Sequence, residues 1–352
     1  MNYHEVLAGI RPLERKLEAE AQRRIDIKTK PQGSLGMMEA IAVRMCLLQK
    51  RLNPSIRNKS IAVFAGDHGV AMEGVSAFPA EVTPQMVQNF LAGGAAINVL
   101  CRHEKISMVV ADMGVNFDFE KNSKLIDKKV RKGTRNFLKE EAMTKDEAIS
   151  ALEGGMNVFL KNILPENPDI TSAGEMGIGN STSASAIIAA VTGKTPLEVT
   201  GRGTGIDDER LNHKIRVIEQ ALSKHNPDPT DGIDIMKKIG GFEIAGIAGF
   251  ILASAAHGIP VVLDGLIATS GGLIATVINP LAKDYLFAGH RSVEIGQKAA
   301  LDRMGLSPIL DLGMRLGEGT GAALAMNIID ASCKIMVEMA SFEEAGVSGN
   351  NP

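Results

Sequence analysis

Residues Ser60-Ile61-Ala62-Val63-Phe64-Ala65, closed by Gly66-Asp67-His68-Gly69, decide the fold. The run is apolar at consecutive positions rather than alternate ones, which describes a strand buried on both faces. A similar run, Ile106-Ser107-Met108-Val109-Val110-Ala111-Asp112-Met113-Gly114, follows after one long helical stretch read from about Thr83 to Arg102. Apolar strands separated by helices pair in parallel through right-handed crossovers. The chain is therefore expected to be α/β, a doubly wound, mostly parallel sheet of Rossmann-like type. Ligands in such sheets collect beyond the carboxyl ends of the strands. Asp67, His68 and Asp112 stand there, where each either serves a site or satisfies nearby backbone.

Further along, Asp169-Ile170-Thr171-Ser172-Ala173 is a short strand leading into Gly174-Glu175-Met176-Gly177-Ile178-Gly179-Asn180-Ser181-Thr182. Glycines at a strand-to-helix junction expose N–H groups to an anion, and the helix dipole adds positive charge. The spacing is neither a dinucleotide fingerprint nor a Walker loop. A second loop, Thr200-Gly201-Arg202-Gly203-Thr204-Gly205, repeats the chemistry and leads to Lys214, whose ammonium neutralises phosphate. The strand Ile259 to Gly265 ends on Asp264, which either meets a ribose hydroxyl or caps the helix after it. Gly246 and Gly249, inside the apolar helix from Phe242 to about His257, read as contacts for close packing.

The strongest chemical feature is Arg315-Leu316-Gly317-Glu318-Gly319-Thr320-Gly321 ahead of an Ala-rich helical run. Glu318 is the one side chain there able to take a proton, and loss of hydration raises a carboxyl toward neutral pH. The competing reading is an acid that merely favours a helix N-terminus. Elsewhere, kinked N-terminal helices flank Pro12, and the loop Lys28 to Gly36 is either anion-facing or a solvated connector. A helix follows from Met37 to about Gln49. Pro280 to His290 reads as a boundary, Ser292 to Arg303 as a helix, and the tail beyond about Met339 as frayed.

The 352 residues, 45% hydrophobic with net charge -3, allow a large core and show no polyanion-binding signature. No Trp and two Tyr argue against nucleic acid. Cys46, Cys101 and Cys333 lack the spacing of a disulfide framework or zinc site. The N-terminus has no secretory h-region and no apolar run reads as a membrane span, so a cytoplasmic protein is expected.

Taken together and in order, the segments Lys30-Pro31-Gln32-Gly33-Ser34-Leu35-Gly36, Ala65 to Val70, Gly174 to Thr182, Asp231-Gly232-Ile233-Asp234, Val262-Leu263-Asp264-Gly265 and Arg315 to Gly319 resemble the nicotinate-nucleotide:dimethylbenzimidazole phosphoribosyltransferase family. The resemblance implies transfer of 5-phosphoribose from nicotinate mononucleotide to a benzimidazole-like base, in assembly of the cobamide nucleotide loop. It implies Glu318 as catalytic base. Glu175, Gly177, Ile178, Gly179, Asn180, Gly203, Lys214 and Asp264 would hold ribose and phosphate. Leu316, Gly317 and Gly319 would contact the leaving group, and Phe78, Pro79 and Met86 would line the acceptor pocket.

No cofactor, metal, nucleic acid or membrane is implied, and the working unit would be a homodimer. The large domain would span 26–280 and 304–345, and a small helical domain 1–25 and 281–303. Apolar Phe78 and Met86 leave purine or phenol acceptors open as variants of the same reaction. Two further readings are a diphosphate-dependent phosphoribosyltransferase, for which Gly265 stands where a second acid is needed, and a non-catalytic nucleotide-binding partner subunit.

Overall fold

The seven apolar segments that can pair do so in one direction. The computed structural model describes residues 2–203 and 205–348. Its strands are β1 (Lys59–Gly66), β2 (Ile106–Gly114), β3 (Leu125–Asp127), β4 (Ile170–Met176), β5 (Val261–Leu263), β6 (Leu286–His290) and β7 (Pro308–Leu310). They form one sheet in the order β3-β2-β1-β4-β5-β6-β7, every pair parallel. The chain winds outward from β1 to β3, then returns to β4 on the other side of β1. That reversal opens a crevice at the carboxyl ends of β1 and β4, where such sheets bind ligands. The doubly wound expectation holds.

The central strands are covered on both faces, which is why they read as continuous apolar runs. The helix Phe242–Ala256 is buried at all but its last position, because it lies between the sheet and the helix Lys145–Val158. Their backbones touch: a Cβ on Gly155 would lie 1.8 Å from Gly246 O, and one on Gly249 would lie 1.9 Å from Leu152 O. Gly246 and Gly249 are packing residues, as read.

Several expectations change. The long helix from Thr83 to Arg102 is two helices, Val82–Ala92 and Ala96–Glu104. Gly93 ends the first in the left-handed region, at φ 83°. β3 and β7 have three residues each, too few to show periodicity. The span 281–303, placed in a helical domain, contains β6, which is buried throughout and part of the sheet. Within the Lys28 to Gly36 loop, Pro31 to Ser34 are exposed as a solvated connector, whereas Lys28 and Lys30 are buried rather than anion-facing. Lys30 pairs with Glu39 at 2.8 Å, and Lys28 donates to the Met339 carbonyl. The segment after Met339 is docked, not frayed: Ser341 bridges Lys28 and caps the short helix Phe342–Ala345. Thr204 and residues 349–352 lie outside the described residues.

Among the described residues, Thr320–Glu338 is the one helix long and apolar enough to cross a membrane, and over half of that span is buried within the protein.

Candidate active site

The site is organised by three consecutive residues in the left-handed region: Gly317 at φ 84°, Glu318 at φ 62° and Gly319 at φ 91°. Only the glycines adopt this freely, so Glu318 holds a backbone geometry that a side chain rarely takes. The turn lies directly on β4, where a Cβ on Gly174 would fall 2.2 Å from Glu318 O. Gly174 is therefore required by the approach of this turn. Asp264 holds the turn from below. Its carboxylate accepts from the N–H groups of Gly319 at 3.0 Å, Gly321 at 2.8 Å and Ala322 at 3.1 Å. It thus caps the helix Thr320–Glu338, not the helix that follows it in sequence. Asp264 lies beneath the cavity, holding backbone N–H groups rather than lining the wall.

The turn directs Glu318 into a cavity of about 610 Å³, walled by Phe78, Val82, Met86, Met176, Ile267 and Leu316 among others. Glu318 is 6% exposed. Burial raises its carboxyl above the ordinary range; a hydrogen bond from Ile97 N–H at 3.3 Å opposes this, and Asp264 adds to it. Glu318 does stand at a helix start, just before the N-cap Gly319, but buried in the cavity wall rather than on a solvated turn.

β4 delivers the second carboxyl. Glu175, at its end, is buried and accepts from the side-chain amide of Asn180. Its pKa is pushed up to about 8, first by burial, then by the charges of Glu243 and Asp264, with Asn180 opposing and Glu318 adding. Glu175, Gly177, Ile178, Asn180, Gly203, Leu316 and Gly317 all line the cavity. Gly179 and Gly319 do not line it; they end their loops in the left-handed region. At the other side Phe78 and Met86 line the wall, Phe78 being 52% exposed. Pro79 does not reach the cavity.

Lys214 is fully buried and bridges the two glycine loops, donating to Ser181 Oγ at 2.9 Å and Gly201 O at 3.3 Å. Burial lowers its pKa to about 8 while Glu294 raises it. Glu294 accepts from Gly203 N–H at 2.9 Å, and Arg315 donates to Gly203 O at 3.2 Å.

Asp67 and Asp112 follow the local reading, whereas the His68 side chain satisfies no backbone group. Asp67 accepts from Asn116 N–H and Asp112 from Gly114 and Val115. His68 pairs with Glu243 at 2.6 Å, both side chains sealed from solvent. Sequence reasoning passed over Ser181, His290, Glu294 and Arg315. The first and last adjoin residues it named, whereas His290 closes, and Glu294 follows, a strand it read as a boundary.

The phosphoribosyltransferase family model matches residues 10–347. A nicotinate-nucleotide--dimethylbenzimidazole phosphoribosyltransferase of Geotalea uraniireducens is 56% identical over 344 residues, 98% of this chain and 97% of that one. A protein of the same name from Chloroflexus aggregans is 51% identical, over 98% of this chain and 97% of that one. The crystal structure of CobT from Thermus thermophilus matches with a TM-score of 0.92 at 43% identity, covering 95% of this chain and 100% of that one. Sequence and fold agree over nearly the whole length: this chain belongs to the nicotinate-nucleotide:dimethylbenzimidazole phosphoribosyltransferase family.

Proposed function

We propose that this protein transfers 5-phosphoribose from nicotinate mononucleotide to a ring nitrogen of dimethylbenzimidazole or a related base, releasing nicotinate. The observation that carries this reading is Glu318, a desolvated carboxyl at the cavity wall beside the glycine turn that ends β4. The C1′–N bond to the pyridinium breaks, and its electron pair neutralises the ring nitrogen, so departure requires no acid. The lone pair of the incoming azole nitrogen forms the new C1′–N bond, and the azole N–H proton passes to Glu318. Attack opposite the leaving group inverts the anomeric centre and gives an α-riboside phosphate, provided both bases are held in line.

The Gly177 to Asn180 turn leads directly into the helix Asn180–Thr192, whose N-terminus suits the phosphate. Lys214 supplies charge behind the two loops. At a pKa near 8 it is still mostly charged at neutral pH, and an arriving phosphate would favour that charged form further. The Phe78, Val82 and Met86 wall accepts a flat apolar heterocycle. Family membership carries this reaction over a diphosphate-dependent transferase and over a silent binding subunit. The homodimer and the cytoplasm remain part of the proposal on the same family basis, with light scattering of the purified protein testing the former.

The deciding experiment incubates the protein with nicotinate mononucleotide and dimethylbenzimidazole, purines or phenols, and follows nicotinate release. Release dependent on a benzimidazole supports the reading. Release without any acceptor, or none with every acceptor, overturns it.

A further inference from the structure

Among the buried ionisable side chains at the cavity wall, the reaction leaves His290 without a role. His290 closes β6, is 1% exposed and lines the cavity. Neither of its ring nitrogens has a hydrogen-bond partner. Nε2 lies 3.5 Å from Asp264 Oδ1, near enough for attraction between charges but without hydrogen-bond alignment. The Asp264 carboxylate is already engaged by three N–H groups, as described above. A buried imidazole with two idle nitrogens is costly unless a further group completes it. The ring packs closely on Gly321, where a Cβ would lie 2.0 Å from His290 Cδ2. Burial, the largest single effect, works against charge on the ring, yet Asp264, with the Arg291 backbone and Asp311, outweighs it and raises the pKa above the ordinary histidine value.

The order of the sheet says what that group is. Phe78, Val82 and Met86 come from the segment that follows β1, whereas Leu266, Ile267, His290 and Ser292 follow β5 and β6. Glu175, Gly177 and Glu318 lie between these two ends, on or over β4. Glu318 Oε2 accepts from Ile97, on a helix packed against β2, so it faces the end beside β1. The incoming base must meet Glu318 there, and an inverting displacement sends the departing ring to the opposite end, where His290 stands. Two other charged groups share that end. Glu294 and Arg315 are both tied to Gly203 of the second glycine loop.

We propose that His290 is the cation that receives the carboxylate of the nicotinate ring, and so selects nicotinate over nicotinamide nucleotides. The inference rests on the reaction proposed above for the identity of the leaving group.

Calorimetric titration with nicotinate mononucleotide and with nicotinamide mononucleotide reads that one charge, since the ligands differ only in carboxylate against amide. Wild-type protein should bind the nicotinate form about tenfold or more tightly, the scale of one charge-assisted hydrogen bond. His290→Gln should lose that factor for the nicotinate form, leave the nicotinamide form within about twofold, and so abolish the discrimination. Equal losses for both ligands, no loss for either, or a wild type that does not discriminate would each overturn the assignment. The wild-type comparison needs no variant, and His290→Asn serves if the Gln protein does not fold. Binding is read without turnover, so discrimination in a protein that releases no nicotinate would sink the reaction and leave the site.

Discussion

Glu318 and Glu175 face one cavity, yet their surroundings give them different behaviour. Glu318 keeps one N–H donor and an apolar wall, so its carboxyl sits above the ordinary value of 4.5 while remaining able to ionise. Activity should therefore rise with pH along a limb whose midpoint lies above 4.5, as the base loses its proton. A profile of kcat/KM against pH checks this, and a midpoint at or below that value contradicts it. Lys214 acts differently, since it touches the glycine loops rather than the reacting nitrogen. Lys214→Met should raise KM for nicotinate mononucleotide by about tenfold or more and change kcat far less, because the lost charge is made equally in ground and transition states.

At the scale of elements, two glycines separate packing from chemistry. Gly155 joins two helices remote from the cavity, and Gly174 lets the Glu318 turn rest on β4. Gly155→Ala should destabilise by about 1–3 kcal/mol in denaturant unfolding, with the activity of the folded fraction intact. Gly174→Ala should instead lower kcat well beyond its effect on stability, because the added methyl displaces the base. The reverse ranking would refute the assigned roles.

The elements also show what the sequence could tell. β1, β2 and β4 were legible because burial on both faces leaves uninterrupted apolar runs, and the Glu318 turn because glycines flank a lone acid. β3 and β7 were not, since three residues between polar neighbours carry no signal, unlike the equally short β5 inside the apolar run Ile259 to Leu263, and β6 was hidden behind Pro280 and a 3-10 turn. Asp264 was seen as a ligand candidate because position after a strand does not disclose that three distant N–H groups occupy it. His290 was missed for the same reason: its neighbours Asp264 and Gly321 come from other parts of the chain.

For the whole molecule, acids gathered in one crevice bear on stability as well as catalysis. Folded Glu175 holds its proton up to about 8, against 4.5 for an ordinary glutamate. Between those values the folded state binds more protons than the unfolded one. The contribution is complete at the acid end and is lost as pH rises toward 8. The melting temperature of the empty protein should decline across that window, and Glu175→Gln should flatten the decline; an unchanged slope contradicts the assignment.

The claim on which the account turns is proton removal by Glu318, and Glu318→Gln tests it most directly, because the amide keeps the shape of the side chain and abolishes its basicity. Calorimetric affinity for nicotinate mononucleotide and nicotinate release with dimethylbenzimidazole are measured on the same preparation. The account predicts unchanged binding with turnover lower by about 10²- to 10⁴-fold. Wild-type turnover in this variant would contradict it.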